Sequence, residues 1–98
     1  MARRKIQVTD GVAAVRQWAA DPDQATRSVR ATAVRYSLEE LAVLAPGGSV
    51  EVRVPPFGVT QIIAGTTHTR GTPPAVVETD ANTWLKLVTG QLQWAQAV

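Results

Sequence analysis

The apolar pattern of this chain changes period at Pro46-Gly47-Gly48, and that change bounds the folds open to it. Upstream, apolar residues recur at helical spacing; downstream, in Ser49-Val50-Glu51-Val52-Arg53-Val54, valines alternate with charged residues. Helical spacing gathers side chains into one stripe of a helix, whereas strict alternation puts them on one face of a strand. Proline cannot continue a helical hydrogen-bond ladder, and glycine tolerates the left-handed turn that satisfies the last carbonyls, so the helical half ends here. Helices first and strands afterwards describe an α+β domain rather than a regular α/β alternation.

In the upstream half, Asp10 is placed to cap a helix with Val12, Val15 and Ala19 on one side and Ala14 and Trp18 beside them; Asp21-Pro22-Asp23 ends it. In a second helix Val29, Ala33 and Tyr36 share a stripe with Val34, Leu38, Leu41 and Ala45 as its neighbour, leaving Arg27, Arg30 and Glu39 to water. Ser37 and Glu40 fit a capping box, at which that helix can restart. Downstream, Pro55-Pro56-Phe57-Gly58 is a turn, and Val59 to Ala64 is an evenly apolar strand suited to the middle of a sheet. Residues 65–74 read as a long loop. Val76 and Val77 then make a third strand, Asp80 caps a helix closed by Gly90, and Leu92 to Val98 begins another.

The length of 98 residues and 45% hydrophobic content suit one domain over 1–98, with residues 1–8 as a flexible basic head. The absence of cysteine removes disulfides, thiolate nucleophiles and thiolate metal sites, and one histidine cannot supply a ligand cluster alone. Met-Ala-Arg-Arg-Lys has the charge of a secretory leader, but Gln7, Thr9 and Asp10 interrupt the apolar stretch that would have to follow. No apolar run reaches membrane-spanning length, so the sequence reads as a soluble cytoplasmic protein. The net charge of +2 is unevenly spread, with the cations concentrated before Tyr36 and the carboxylates after it. That asymmetry suits a phosphate-bearing partner, or is simply a solvated surface.

Taken together, the valine alternation, Val76-Val77-Glu78-Thr79-Asp80 leading into Trp84-Leu85 and Leu87-Val88, then Gly90, Leu92 and Trp94, resemble sterol-carrier-protein-like domains. The likeness runs from Tyr36 to Val98 and looks closest to short actinobacterial members. In those, segments like Ser49-Val50-Glu51-Val52-Arg53-Val54-Pro55-Pro56-Phe57-Gly58 and Arg70-Gly71-Thr72-Pro73-Pro74 flank the central strand. The resemblance implies a small, mostly antiparallel or mixed sheet backed by helices. It also implies an apolar tunnel for a sterol, fatty acid, phospholipid tail or fatty acyl-CoA. Carried onto this chain, the lining candidates are Val52, Val54, Ile62, Trp84, Leu85, Val88 and Leu92, with Arg70 near the mouth for an acidic head group. Family members continue with a further strand after the last helix. The expected sheet therefore lacks the family's last strand and exposes an edge on which a second copy can pair. No catalytic residue, metal or cofactor comes with the resemblance.

The residues themselves offer little chemistry. His68 with Thr69 and Arg70 outlines a small anion site or an ordinary exposed loop, and Arg70-Gly71-Thr72-Pro73-Pro74 is a ligand clamp or a structural turn. Glu78 can meet Arg53 or Arg70 as a structural ion pair. Trp84, Leu87 and Val88 form one helical face that serves as plain core or as ligand wall. Arg3, Arg4 and Lys5 lack the interleaved aromatics that stack on bases, which argues against nucleic acid. Two functions follow. One is non-enzymatic binding of an apolar or amphipathic small molecule of the fatty acid, sterol or acyl-CoA class in a pocket between sheet and helices. The other is an interaction module with a filled core, acting as a homodimer or as a subunit of a larger complex.

Overall fold

The computed structural model describes residues 5–62 and 75–90. Along the chain run α1 (Val8–Ala20), α2 (Arg27–Leu44), β1 (Pro46–Val54), β2 (Gly58–Ile62), β3 (Ala75–Glu78) and α3 (Ala81–Val88). The sheet order is β2-β1-β3, antiparallel between β1 and β2 and parallel between β1 and β3. This is the expected α+β class with a mixed sheet. The expected segments over 63–74 and 91–98, including the long loop, His68, Arg70 and the helix after Gly90, lie outside the described residues.

The sheet has two unlike faces, and β1 explains why. Its register puts Val50 and Val52 beside Ile62 and Thr60 of β2 and beside Ala75 and Val77 of β3. Glu51 and Arg53 sit between them and point the other way, as a pleat requires. The valine face receives α2, which also packs on α3, while α1 lies chiefly on α2. Helices thus back one side of the sheet, and the core is Ala14, Trp18, Ala33, Val34, Leu38, Val52, Val54, Phe57, Ala81, Trp84 and Leu85. On the opposite side Val59 and Val76 are exposed.

Local chemistry sets the element ends. Thr26 caps α2, its hydroxyl accepting from Val29 N at 3.1 Å. Asp80 caps α3 as expected, accepting from Thr83 N at 2.8 Å and from Thr83 Oγ1 at 2.9 Å. Gly90, at φ +81°, donates its N–H to Leu87 O at 3.1 Å, the left-handed closure for which glycine is suited.

Four expectations are corrected. Asp10 lies inside the first turn of α1, whose N-cap is Gln7 with no side-chain cap bond. The buried residues of α1 are Gly11, Ala14 and Trp18, so of the expected apolar side Ala14 and Trp18 are its centre, Val12 and Val15 are half-buried and Ala19 is exposed. Gly11 sets that rotation, because only a residue without Cβ lets α1 approach the Tyr36 ring of α2 so closely. There is no restart at Ser37, and α2 runs unbroken through it. Finally, β2 is at the edge of the described sheet and the alternating β1 is its centre. Alternation records that one face of the sheet is wet; it does not tell an edge strand from a central one.

Candidate functional site

Between the inner face of the sheet and the helices lies a cavity of about 390 Å³. β1 supplies Val50 and Val52, β2 supplies Ile62, and β3 supplies Val77. α2 contributes Leu41, and α3 contributes Trp84, Leu87 and Val88. The three residues from α3 fall at helical spacing on one side, and the pleat brings Val50 and Val52 to the same face. None of the described residues that line it is charged. An apolar molecule entering this space would be held by the area it removes from water, at roughly 25 cal/mol per Å².

Trp84 fixes one wall. Its side chain is 1% exposed, and its indole N–H donates to Ser37 Oγ at 2.7 Å. The Ser37 hydroxyl in turn donates to Val34 O at 2.8 Å, so its proton is committed to the helix and its oxygen is left to accept. Burial of the large ring therefore leaves its polar atom satisfied. A second buried indole, Trp18, donates to Asn82 Oδ1 at 3.0 Å and ties α1 to the start of α3. At the other end of α2, Glu39 Oε1 accepts the backbone N–H groups of Lys5 at 2.9 Å and Ile6 at 3.1 Å. Glu39 thus anchors the approach to α1 rather than pointing only to water.

Of the residues expected in a ligand site, Val52, Ile62, Trp84 and Val88 border this cavity. Val54 and Leu85 have no exposed surface and belong to the packed core instead. Arg70 and Leu92 lie outside the described residues. The sequence pattern does not single out Leu41, Val50 or Val77 as lining, whereas Leu87 belongs to the face it gives as plain core or ligand wall. Val50 is within reach through its alternation with Val52. Val77 faces the cavity because β3 runs parallel to β1 in register with Val52, which no local pattern reveals.

None of the described charged residues lines this space. Arg53 pairs with Glu51 on its own strand, Nη2 to Oε2 at 2.6 Å, rather than with its cross-strand neighbour Glu78; the other expected partner of Glu78, Arg70, lies outside the described residues. The Asp80 carboxyl is held below its ordinary value chiefly by the backbone N–H of Thr83, with burial opposing the shift. Among the described residues no group of His, Cys, Asp and Glu could hold a metal ion, and no helix is long and apolar enough to cross a membrane.

No curated protein matches the chain. Residues 26–98, however, match the protein family described as "Bacterial SCP ortholog". The match begins at the cap of α2 and takes in every element that walls the cavity, leaving only α1 and the residues around it outside. The chain belongs to this bacterial SCP family.

Proposed function

We propose that this protein binds an apolar or amphipathic small molecule, of the fatty acid, sterol or acyl-CoA class, in the cavity between the sheet and helices α2 and α3. SCP-family proteins are non-catalytic lipid carriers, and the reading assigns no catalytic step here. The observation that carries it is the cavity of about 390 Å³ walled by aliphatic side chains and one indole. That volume is within the roughly 300–1,000 Å³ of small-molecule sites, towards the lower end. Val52, Ile62, Trp84 and Val88 are its proposed ligand contacts, joined by Leu41, Val50, Val77 and Leu87. Leu92, and Arg70 near the pocket mouth, remain proposed contacts. The stretches 49–58 and 70–74 support placing the chain with the short actinobacterial members, and a cytoplasmic location goes with that reading.

The test is a chain-length series. Each methylene buried is worth about 0.8 kcal/mol, so from hexanoate to decanoate the affinity should tighten about fourfold per added carbon. A series flat in chain length by calorimetry would sink the proposal.

A second reading rests on the sheet. Among the described residues β2 has a strand on one side only, and Val59 and Val76 are exposed on the uncovered face. Unpaired edges invite strand addition, which favours a homodimer formed through the sheet edge. Sedimentation at micromolar concentration distinguishes the two, because a dimerising module with a filled core ignores fatty acids altogether.

A further inference from the structure

At the opposite end of α3 from the apolar cavity, the first turn of α2 carries Arg27 and Arg30 into a separate cleft of about 390 Å³. The turn Pro55-Pro56-Phe57 forms one wall and the start of α3, from Asp80, forms the other. We propose that this cleft is a binding site for a phosphate group, with the Arg27 and Arg30 guanidiniums as its ligands. It is independent of the apolar cavity and of the function proposed for it.

Three observations carry the proposal. First, the two cations sit at positions i and i+3 of one helix, which places them on the same side, and among the described residues neither makes an ion pair with an acid. Second, each guanidinium is held in place by uncharged groups. Arg27 lies over the Phe57 ring at 5.2 Å from its centroid, and Arg30 Nη2 donates to Ala25 O at 3.2 Å. Third, Arg30 Nε is buried and has no hydrogen-bond acceptor. Burial has removed water from this one nitrogen of a half-buried side chain without supplying an acceptor, and buried polar groups of native proteins normally find a partner. Preorganised arginines of this kind suit the planar, multidentate geometry of a phosphate.

Asp80 borders the same cleft and opposes an anion. Its carboxylate is directed into its own helix, accepting from Thr83 N and Thr83 Oγ1, and it bridges to neither arginine. It therefore lowers the affinity without neutralising the pair, which gives the proposal an unusual signature. Removing the Asp80 charge should tighten anion binding. Asparagine caps a helix as well as aspartate does, so Asp80→Asn makes that change without loosening α3.

The experiment is an NMR titration of the full chain with inorganic phosphate and with phenyl phosphate at neutral pH and constant ionic strength. Acetate serves as the competing anion. Saturable shifts around Arg27, Arg30 and Phe57 are expected, stronger with either phosphate than with acetate. Arg27→Gln and Arg30→Gln should each weaken binding about tenfold, the scale of a charge-assisted hydrogen bond. Arg16→Gln, which removes the same charge from an exposed position of α1, should leave it unchanged. Asp80→Asn should tighten it severalfold. Tighter binding of phenyl phosphate than of inorganic phosphate would assign the site to a phosphorylated organic molecule, and the reverse order would assign it to free phosphate. Lack of saturation, equal loss in Arg16→Gln, or no gain in Asp80→Asn would overturn the proposal. Arg27→Gln keeps the test decisive if Arg30→Gln unfolds, because Arg27 donates no hydrogen bond to the backbone.

Discussion

Replacing Gly11 by alanine puts two opposed effects in direct competition. In an exposed helix interior that change is stabilising by about 1 kcal/mol, because alanine loses less backbone freedom on folding. Here an added Cβ would lie 2.1 Å from Tyr36 Cγ and 2.2 Å from Tyr36 Cδ1. Carbon atoms pack at about 3.5 Å or more, so the ring or the whole of α1 must move by more than about 1 Å. The contact is with the base of the ring, where χ rotation gives little relief, and α2 is held behind it by the sheet. Overpacking of this kind costs about 1–3 kcal/mol and outweighs the propensity gain. The difference is a net loss of up to about 2 kcal/mol, which for a domain of this size lowers Tm by up to roughly 15 °C. Urea unfolding of Gly11→Ala, Tyr36→Ala and the double variant measures it. With Tyr36 already truncated, the same Gly11→Ala change should reverse sign and stabilise by about 1 kcal/mol. A stabilised Gly11→Ala single variant would refute the claim that α1 and α2 meet at this glycine.

Two further substitutions test the polar anchors. Ser37→Ala removes the acceptor 2.7 Å from the buried Trp84 indole and should cost about 1–3 kcal/mol. In a Trp84→Phe background the same change should cost much less, and a double-mutant cycle without coupling would contradict the bond. Asp80→Ala should lose about 1 kcal/mol of helix capping, whereas Asp80→Asn should lose little. Because folding lowers the Asp80 pKa below its ordinary 3.8, its stabilising contribution is complete above that value. It is then lost as pH falls through the folded-state value. Denaturation curves of Asp80→Asn should therefore show a smaller loss between neutral and strongly acidic pH than the parent does. Parallel curves would contradict the assignment.

These experiments mark what was legible in the sequence. Signals that act locally were readable: the stop at Pro46, the cap at Asp80, the closure at Gly90 and the alternation of Val50, Val52 and Val54. What eluded reading depends on partners distant in the chain. The face of α1 centres on Ala14 and Trp18 rather than on Val12, Val15 and Ala19 because the approach of Gly11 to Tyr36 sets its rotation, and valines outrank glycine in any apolar count. Ser37 resembled a cap from its neighbours alone, yet its role is to receive an indole 47 residues away. Among the described residues β2 pairs only with β1, and sheet order of this kind follows from pairings that composition does not encode. The cavity was partly legible for the same reason. Trp84 and Val88 stand out on their helix, but Val77 joins them only through the register between β1 and β3. Leu85, fully buried beside Trp84, lies off the face formed by Trp84, Leu87 and Val88 that borders the cavity.

The central claim is that the space between Val52, Val77 and Trp84 is where a ligand sits. Its most direct test is Val77→Phe, which fills the cavity from a half-buried strand position while keeping the surface and charge unchanged. Calorimetric titration of both proteins with decanoate is the measurement. The account predicts saturable one-to-one binding to the parent and at least about a tenfold loss in Val77→Phe, with Tm unchanged or raised because the ring occupies empty apolar volume. Equal decanoate affinity in the two proteins would show that the cavity is not the ligand site.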